Sequence, residues 1–193
     1  MAASRSAKNR IIDAAWALFR EKGYAATTVD DIIEKSNTSK GSFYHYFAAK
    51  DALLATLCII LDQEYSRFEE TIGEDENRYQ LLLRMNYEIH SSMRDSMDKD
   101  LLAHQYSSQL ISVADRNLLD NNRTYYKVLR RLIQEGQERG EIIDDVTVED
   151  IALYYSMCER ALIYDWCLKD GSYDLGERSR QWMAMMMEHY QKR

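Results

Sequence analysis

Between residues 39 and 47 the chain reads Ser-Lys-Gly-Ser-Phe-Tyr-His-Tyr-Phe, and these residue types suit non-covalent recognition of a polyanion better than bond-making. Lys40 is a cation, Gly41 has no side chain to clash, and Ser42 is a small hydroxyl. Tyr44 and His45 carry hydrogen-bonding tips that fit phosphate oxygens or the edges of bases. Phe43 and Phe47, four apart, share the opposite face of a helix and are expected to point inward, and Tyr46 is expected in the core beside Phe47. A helix that enters the DNA major groove N-terminus first needs small or polar residues at its start, because the backbone itself must approach the duplex. No stretch resembles a nucleophile elbow, a phosphate loop, a metalloprotease helix or a dinucleotide fingerprint, so no enzyme is expected. His90 and His104 lack the cysteine or carboxylate spacing that would complete a metal site; neither metal nor cofactor is expected.

The elements that must hold this segment are legible around it. Ile11, Ile12, Ala15, Leu18 and Phe19 recur at helical spacing, which predicts a helix over 4–22 stopped by Gly23, with Tyr24 packing just beyond. Thr28 reads as an N-cap with Asp31 three residues on, opening a short helix from Val29 to about Ser36 that buries Val29, Ile32 and Ile33. Asn37-Thr38-Ser39 is a polar turn, and Ser39 or Thr38 caps a third helix from Lys40 to about Phe47. Two short helices joined by such a turn fit a helix-turn-helix. A fourth helix begins near Lys50 with Leu53, Leu54, Leu57, Ile60 and Leu61 on one side. Longer amphipathic helices are expected at about 75–95, 99–113, 118–138, 147–169 and 174–191. Gly136 falls inside one of them, where it points to a close approach of helices.

Composition agrees with an all-α chain. There is no proline in 193 residues and only seven glycines, and these are the two residue types that interrupt helices. No apolar run is long enough to span a bilayer, so a cytoplasmic protein without membrane contact is expected. Cys58, Cys158 and Cys167 form no CxxC pair and are expected as reduced, buried thiols. The net charge of −7 argues against nucleic acid until it is divided. Residues 1–50 hold eight basic and five acidic residues, a local +3, and the remainder carries −10. A small basic module on a larger acidic body is compatible with phosphate binding, which needs only local positive potential.

The stretch GYAATTVDDIIEKSNTSKGSFYHYFAAKDALL, residues 23–54, resembles the TetR family of one-component transcriptional repressors. The resemblance rests on the glycine–aromatic lead, the Thr-Thr cap, SKGSFYHYF and Lys50; one departure is Asn37, where a small residue, often glycine, is common. It implies a three-helix DNA-binding domain at 1–49 and an all-helical effector-binding and dimerisation domain at 50–193, about nine helices in all. It implies phosphate contacts from Thr28, Ser39, Tyr44 and Lys50, and base contacts from Lys40, Gly41, Ser42 and His45. The partners implied are a double-stranded DNA operator, a second copy of the chain and an unidentified small-molecule effector.

One short recognition helix reads few base pairs, so a dimer spanning two half-sites is expected. The last two helices offer Tyr154, Met157, Ala161, Trp182, Met183 and Met186 for an interface, which in a symmetric pair makes a four-helix bundle. Tyr87, His90, His104, Tyr106, Tyr125, Tyr126 and Trp166 supply aromatic walls with polar tips for an effector pocket, although each type is also common in plain core. A repressor released from a palindromic operator is the expected activity. An activator of the same fold differs only in where its operator lies, and a helical enzyme or adaptor is the remote alternative.

Overall fold

The computed structural model describes residues 6–97, 99–111 and 117–192. Among them are nine α-helices, designated α1 (Ala7–Lys22), α2 (Val29–Ser36), α3 (Lys40–Tyr46), α4 (Leu57–Glu70), α5 (Arg78–Ser96), α6 (Lys99–Ile111), α7 (Thr124–Glu138), α8 (Val148–Leu168) and α9 (Leu175–Met187). The chain forms no sheet among these residues, only an isolated bridge between Ile142 and Gln191. No single helix of the described residues is long and apolar enough to cross a membrane.

The helices group into two compact units, Met1–Ile59 with Ser96–Leu118 and Ile60–Asp95 with Leu119–Arg193. In the first, α1 packs on α2 and α3 around Ile11, Phe19, Ile32 and Phe43, each less than 2% exposed. Local chemistry places the short helices. Gly23 ends α1 at φ 81°, a conformation that disfavours side chains. Thr28 closes a capping box: its Oγ1 accepts from the Asp31 amide at 3.1 Å and the Asp31 carboxylate accepts from the Thr28 amide at 2.7 Å. Asn37 takes the left-handed conformation at φ 49°, ψ 52°, which asparagine tolerates without glycine. Ser39 caps α3 by accepting from the Ser42 amide at 3.0 Å.

Three details of this unit differ from the sequence-based expectation. Val29 and Ile33 are half-buried, because an eight-residue helix turns only one narrow stripe inward, here Ile32 and Ser36. Tyr46 is 40% exposed and stands edge-on to the His45 ring at 4.7 Å; the inward stripe of α3 is taken by Phe43 and Phe47. Residues Lys50–Thr56 form a 3-10 stretch ahead of α4 instead of its first turns. Leu53 and Thr56, like Leu54 and Leu57, are buried three apart, the repeat of a three-per-turn helix. The Thr56 hydroxyl there accepts from the Trp16 indole at 2.8 Å.

In the second unit α8 packs against α7 and α9, and Tyr155, Leu162 and Trp166 of α8 are buried along with Leu129 and Leu132 of α7 and Met183 and Met187 of α9. Two glycines permit close approaches. A Cβ at Gly136 would lie 2.6 Å from Ile142 Cδ1 and 3.2 Å from Arg78 Cβ, so the close approach is to the following loop and to α5. A Cβ at Gly176 would lie 3.2 Å from Ser91 Cα, which fixes how near α9 sits to α5. Helix α7 starts at Thr124, after a short 3-10 turn at Asn117–Leu119, and α9 ends at Met187 before another at Glu188–Tyr190. Cys58 and Cys158 are buried and Cys167 is half-buried.

Candidate nucleic-acid interface

The face of α3 opposite Phe43 and Phe47 is built from the residues that the sequence singles out. Lys40, Gly41, Tyr44 and His45 are exposed and Ser42 is half-buried. Phe43 is fully buried, and the Phe43 and Phe47 rings lie 5.9 Å apart. This aromatic pair fixes the rotation of α3 about its axis, and hence the direction of its outer residues. Among the described residues, a Cβ added at Gly41 would meet nothing nearer than Ser39 Oγ at 3.9 Å. None of these residues requires glycine there; the bare backbone leaves room for a partner outside. Lys40 Nζ lies 3.4 Å from Asp30, with both side chains largely exposed, a pair too solvated to hold the ammonium in place. Tyr46, missed by sequence reasoning, adds a phenol beside Tyr44 and His45; the odd position of a seven-residue helix was the available signal.

Thr28 and Ser39 are exposed, and each is occupied as a helix cap. Lys50 is the larger surprise. Its ammonium donates to the carbonyl oxygens of Tyr24 and Thr27, each at 2.8 Å, and lies 4.2 Å from the Tyr24 ring centroid. Burial lowers its pKa from the usual lysine value. The Tyr24 hydroxyl donates to the neighbouring Asp51 carboxylate. Lys50 therefore pins the turn between α1 and α2, and two of its three N–H groups are committed within the chain.

Five of the seven residues expected around an effector lie in the second unit. His90 is fully buried, with Nδ1 2.6 Å from Ser179 Oγ and Nε2 3.8 Å from Glu159 Oε1. Tyr125 packs on Tyr65 at 4.9 Å and on Tyr126 at 4.7 Å. The Trp166 indole donates to the Tyr173 carbonyl at 2.9 Å. Tyr87 lines a surface groove of about 560 Å3 with Arg84 and Arg180. His104 and Tyr106 are not brought to these residues: they belong to α6 in the first unit, where the His104 ring leans on Tyr24 at 4.6 Å. Glu159, Asn86 and Tyr65 are buried polar residues beside His90 and Tyr125 that sequence reasoning missed. The signal was an acid at 159 on the apolar stripe Tyr155–Leu162–Trp166.

Of the residues proposed for an interface between copies, Tyr154, Met157 and Ala161 lie on the exposed face of α8, Met157 at 54%. Leu153, Tyr164 and Leu168 extend that face, with Leu168 at 67%. Trp182 and Met186 are half-buried, whereas Met183 is fully buried within its own chain. A surface helix with this much contiguous apolar area is characteristic of association.

Residues 11–57 match the family described as bacterial regulatory proteins, tetR family. The uncharacterised HTH-type transcriptional regulator YerO of Bacillus subtilis is 30% identical over 152 residues, covering 76% of this chain, which spans only 44% of YerO. The HTH-type transcriptional repressor KstR2 of Rhodococcus jostii is 22% identical over 191 residues, covering 94% of this chain and 89% of its own. The fold is that of the transcriptional regulator FadR from Bacillus subtilis, solved in complex with stearoyl-CoA: the TM-score is 0.72 at 23% identity, over 94% of this chain and 98% of FadR. The family match lies on the same residues as the helix-turn-helix geometry above, so residues 11–57 carry the N-terminal segment of the tetR family of bacterial regulatory proteins.

Proposed function

We propose that the protein is a homodimeric, cytoplasmic repressor that holds a palindromic DNA operator through α3 and lets it go when a small molecule binds the second unit. The observation that carries this reading is the outer face of α3. Lys40, Gly41, Ser42 and His45 meet base edges, and Tyr44 and Tyr46 reach the flanking phosphates. Thr28 and Ser39 keep their caps and add hydroxyl contacts to phosphate. The remaining N–H of Lys50 serves the same backbone while its other two hold the α1–α2 turn. The exposed face of α8 meets its symmetry mate, so that two copies of α3 address half-sites one helical turn, about 34–36 Å, or a multiple of it apart. KstR2 is named as a repressor and FadR has been solved with stearoyl-CoA. An effector weakens operator binding by favouring a conformation with the wrong half-site spacing.

Selection of bound fragments from genomic or random DNA tests the proposal. The expected result is an enriched inverted repeat whose affinity falls steeply with salt. Enrichment of no inverted repeat at moderate salt would overturn it.

A further inference from the structure

Glu159 is a carboxylate in the interior of the second unit. It is 5% exposed, and burial raises its pKa from the usual carboxylate value. Its donors are uncharged and distant: the Tyr65 hydroxyl at 3.3 Å and the Asn86 amide nitrogen at 3.4 Å, with the Tyr125 hydroxyl also turned toward it. Among the described residues the one basic nitrogen within ion-pair range is His90 Nε2 at 3.8 Å, and burial holds that imidazole neutral, its pKa pushed down to about 3. Arg160, next in the chain, has its guanidinium at the Tyr126 hydroxyl, 3.4 Å away, and its charge acts on Glu159 through space, lowering the carboxyl pKa against the larger effect of burial. Three buried atoms of the cluster have no hydrogen-bond partner, the acceptor Asn86 Oδ1, His90 Nε2 and the Tyr125 hydroxyl. Such orphans cost about 1–3 kcal/mol each and call for a partner.

Phenol rings surround the carboxylate. Tyr65, Tyr125 and Tyr155 are all less than 5% exposed, and the Tyr65 and Tyr125 rings are inclined at 52°. A buried carboxylate, an unfilled amide acceptor and tilted phenol rings together match one kind of head group. We propose that the Glu159–Asn86 cluster binds a primary ammonium group of the effector. Its N–H groups donate to the Glu159 carboxylate and to Asn86 Oδ1, and its charge lies against the ring faces of Tyr65 and Tyr125. The assignment rests on reading the second unit as the effector-binding part of the regulator, and it gives that effector its charge. His90 is a positioning residue: Ser179 on α9, brought close by Gly176, holds the ring so that Nε2 faces Glu159.

The test is calorimetry on the full chain at neutral pH with three probes of similar size: 2-phenylethylammonium, 2-phenylethanol and 3-phenylpropanoate. The ammonium should bind about tenfold or more tighter than the alcohol, with the carboxylate weakest. Glu159→Gln, checked for folding by its circular dichroism, should bring ammonium and alcohol within about twofold of each other. Asn86→Asp should move the other way and strengthen ammonium binding. Equal binding of the alcohol, preference for the carboxylate, no binding of the ammonium, or an unaltered Glu159→Gln variant would each overturn the assignment. No DNA is present in these titrations, so they are independent of operator binding. A protein that discriminates among the probes yet selects no DNA would overturn the regulatory reading alone.

Discussion

Lys50 donates to the carbonyl oxygen of Tyr24 at 2.8 Å while its ammonium lies 4.2 Å from the centroid of the same residue's ring. One side chain thereby clasps both the backbone and the ring of the residue that follows α1. Lys50→Met removes two charge-assisted hydrogen bonds and should cost about 2 kcal/mol in a urea titration. The slope of log affinity for DNA against log salt should also fall by about one. Unchanged stability would contradict the internal clasp; an unchanged slope would contradict the phosphate contact.

Gly41→Ala separates folding from function. The added methyl meets no atom of the described residues closer than 3.9 Å, and alanine is the better helix former by about 0.8–1 kcal/mol. The variant should be as stable as the parent or slightly more so, and should bind operator at least about tenfold more weakly, as expected for a clash at a base edge. Undiminished DNA binding would mean that α3 does not approach the duplex by this face.

The caps predict the opposite pattern. Thr28→Ala and Ser39→Ala should each lose about 1 kcal/mol of stability, whereas Thr28→Ser, which retains the hydroxyl at the Asp31 amide, should lose little. Thermal melts of the three variants decide the point.

His90 gives the protein an acid-sensitive interior. Its pKa is pushed down by burial to about 3, from 6.5. The unfolded chain takes up a proton that the folded chain refuses, so this contribution is present above pH 6.5 and is lost as pH falls toward 3. Glu159 acts in the opposite sense. Burial raises its pKa, so the folded state holds that proton more readily, and stability declines as pH rises above 4.5. Replacing His90 isolates its share: between pH 6.5 and 4.5 the parent should lose about 1 kcal/mol per pH unit more than His90→Gln. Urea midpoints that fall in parallel for the two proteins would contradict the buried neutral imidazole.

Met157 and Met183 distinguish interface from core. Met157→Glu places a charge on the exposed face of α8 and should give monomers by light scattering with the fold intact. Met183→Ala empties a fully buried site and should cost about 2–5 kcal/mol without a specific effect on association. A stable dimer of Met157→Glu would place the interface elsewhere.

How much of this was legible beforehand follows from the range of the interactions. Thr28, Ser39 and Gly23 act on residues three or four positions away, so α2 and α3 are readable from the string to within a residue. Phe43 and Phe47 likewise betray the inward face of α3. Tyr46 escapes a local reading because aromatic type suggests core, while a seven-residue helix has only one inward stripe. Lys50 reaches back 26 residues to Tyr24, and no local pattern reveals that its ammonium is committed there. The polar cluster is less legible still: Tyr65, Asn86, His90, Tyr125, Glu159 and Ser179 come from five helices. His104 and His90 look alike as aromatic, polar-tipped residues on neighbouring helices, yet they fall in different units. The effector-binding and DNA-binding roles assigned to residues 50–193 and 1–49 remain a division of labour that we propose, while the compact units group α6 with the first three helices.

The most direct measurement is selection of bound DNA from genomic fragments by the parent protein beside Gly41→Ala, at two salt concentrations. The parent is expected to enrich an inverted repeat with half-sites about one helical turn, or a multiple of it, apart, more strongly at the lower salt, and the variant to enrich none. An absence of any inverted repeat with the parent, or equal enrichment by the variant, would contradict operator reading through α3.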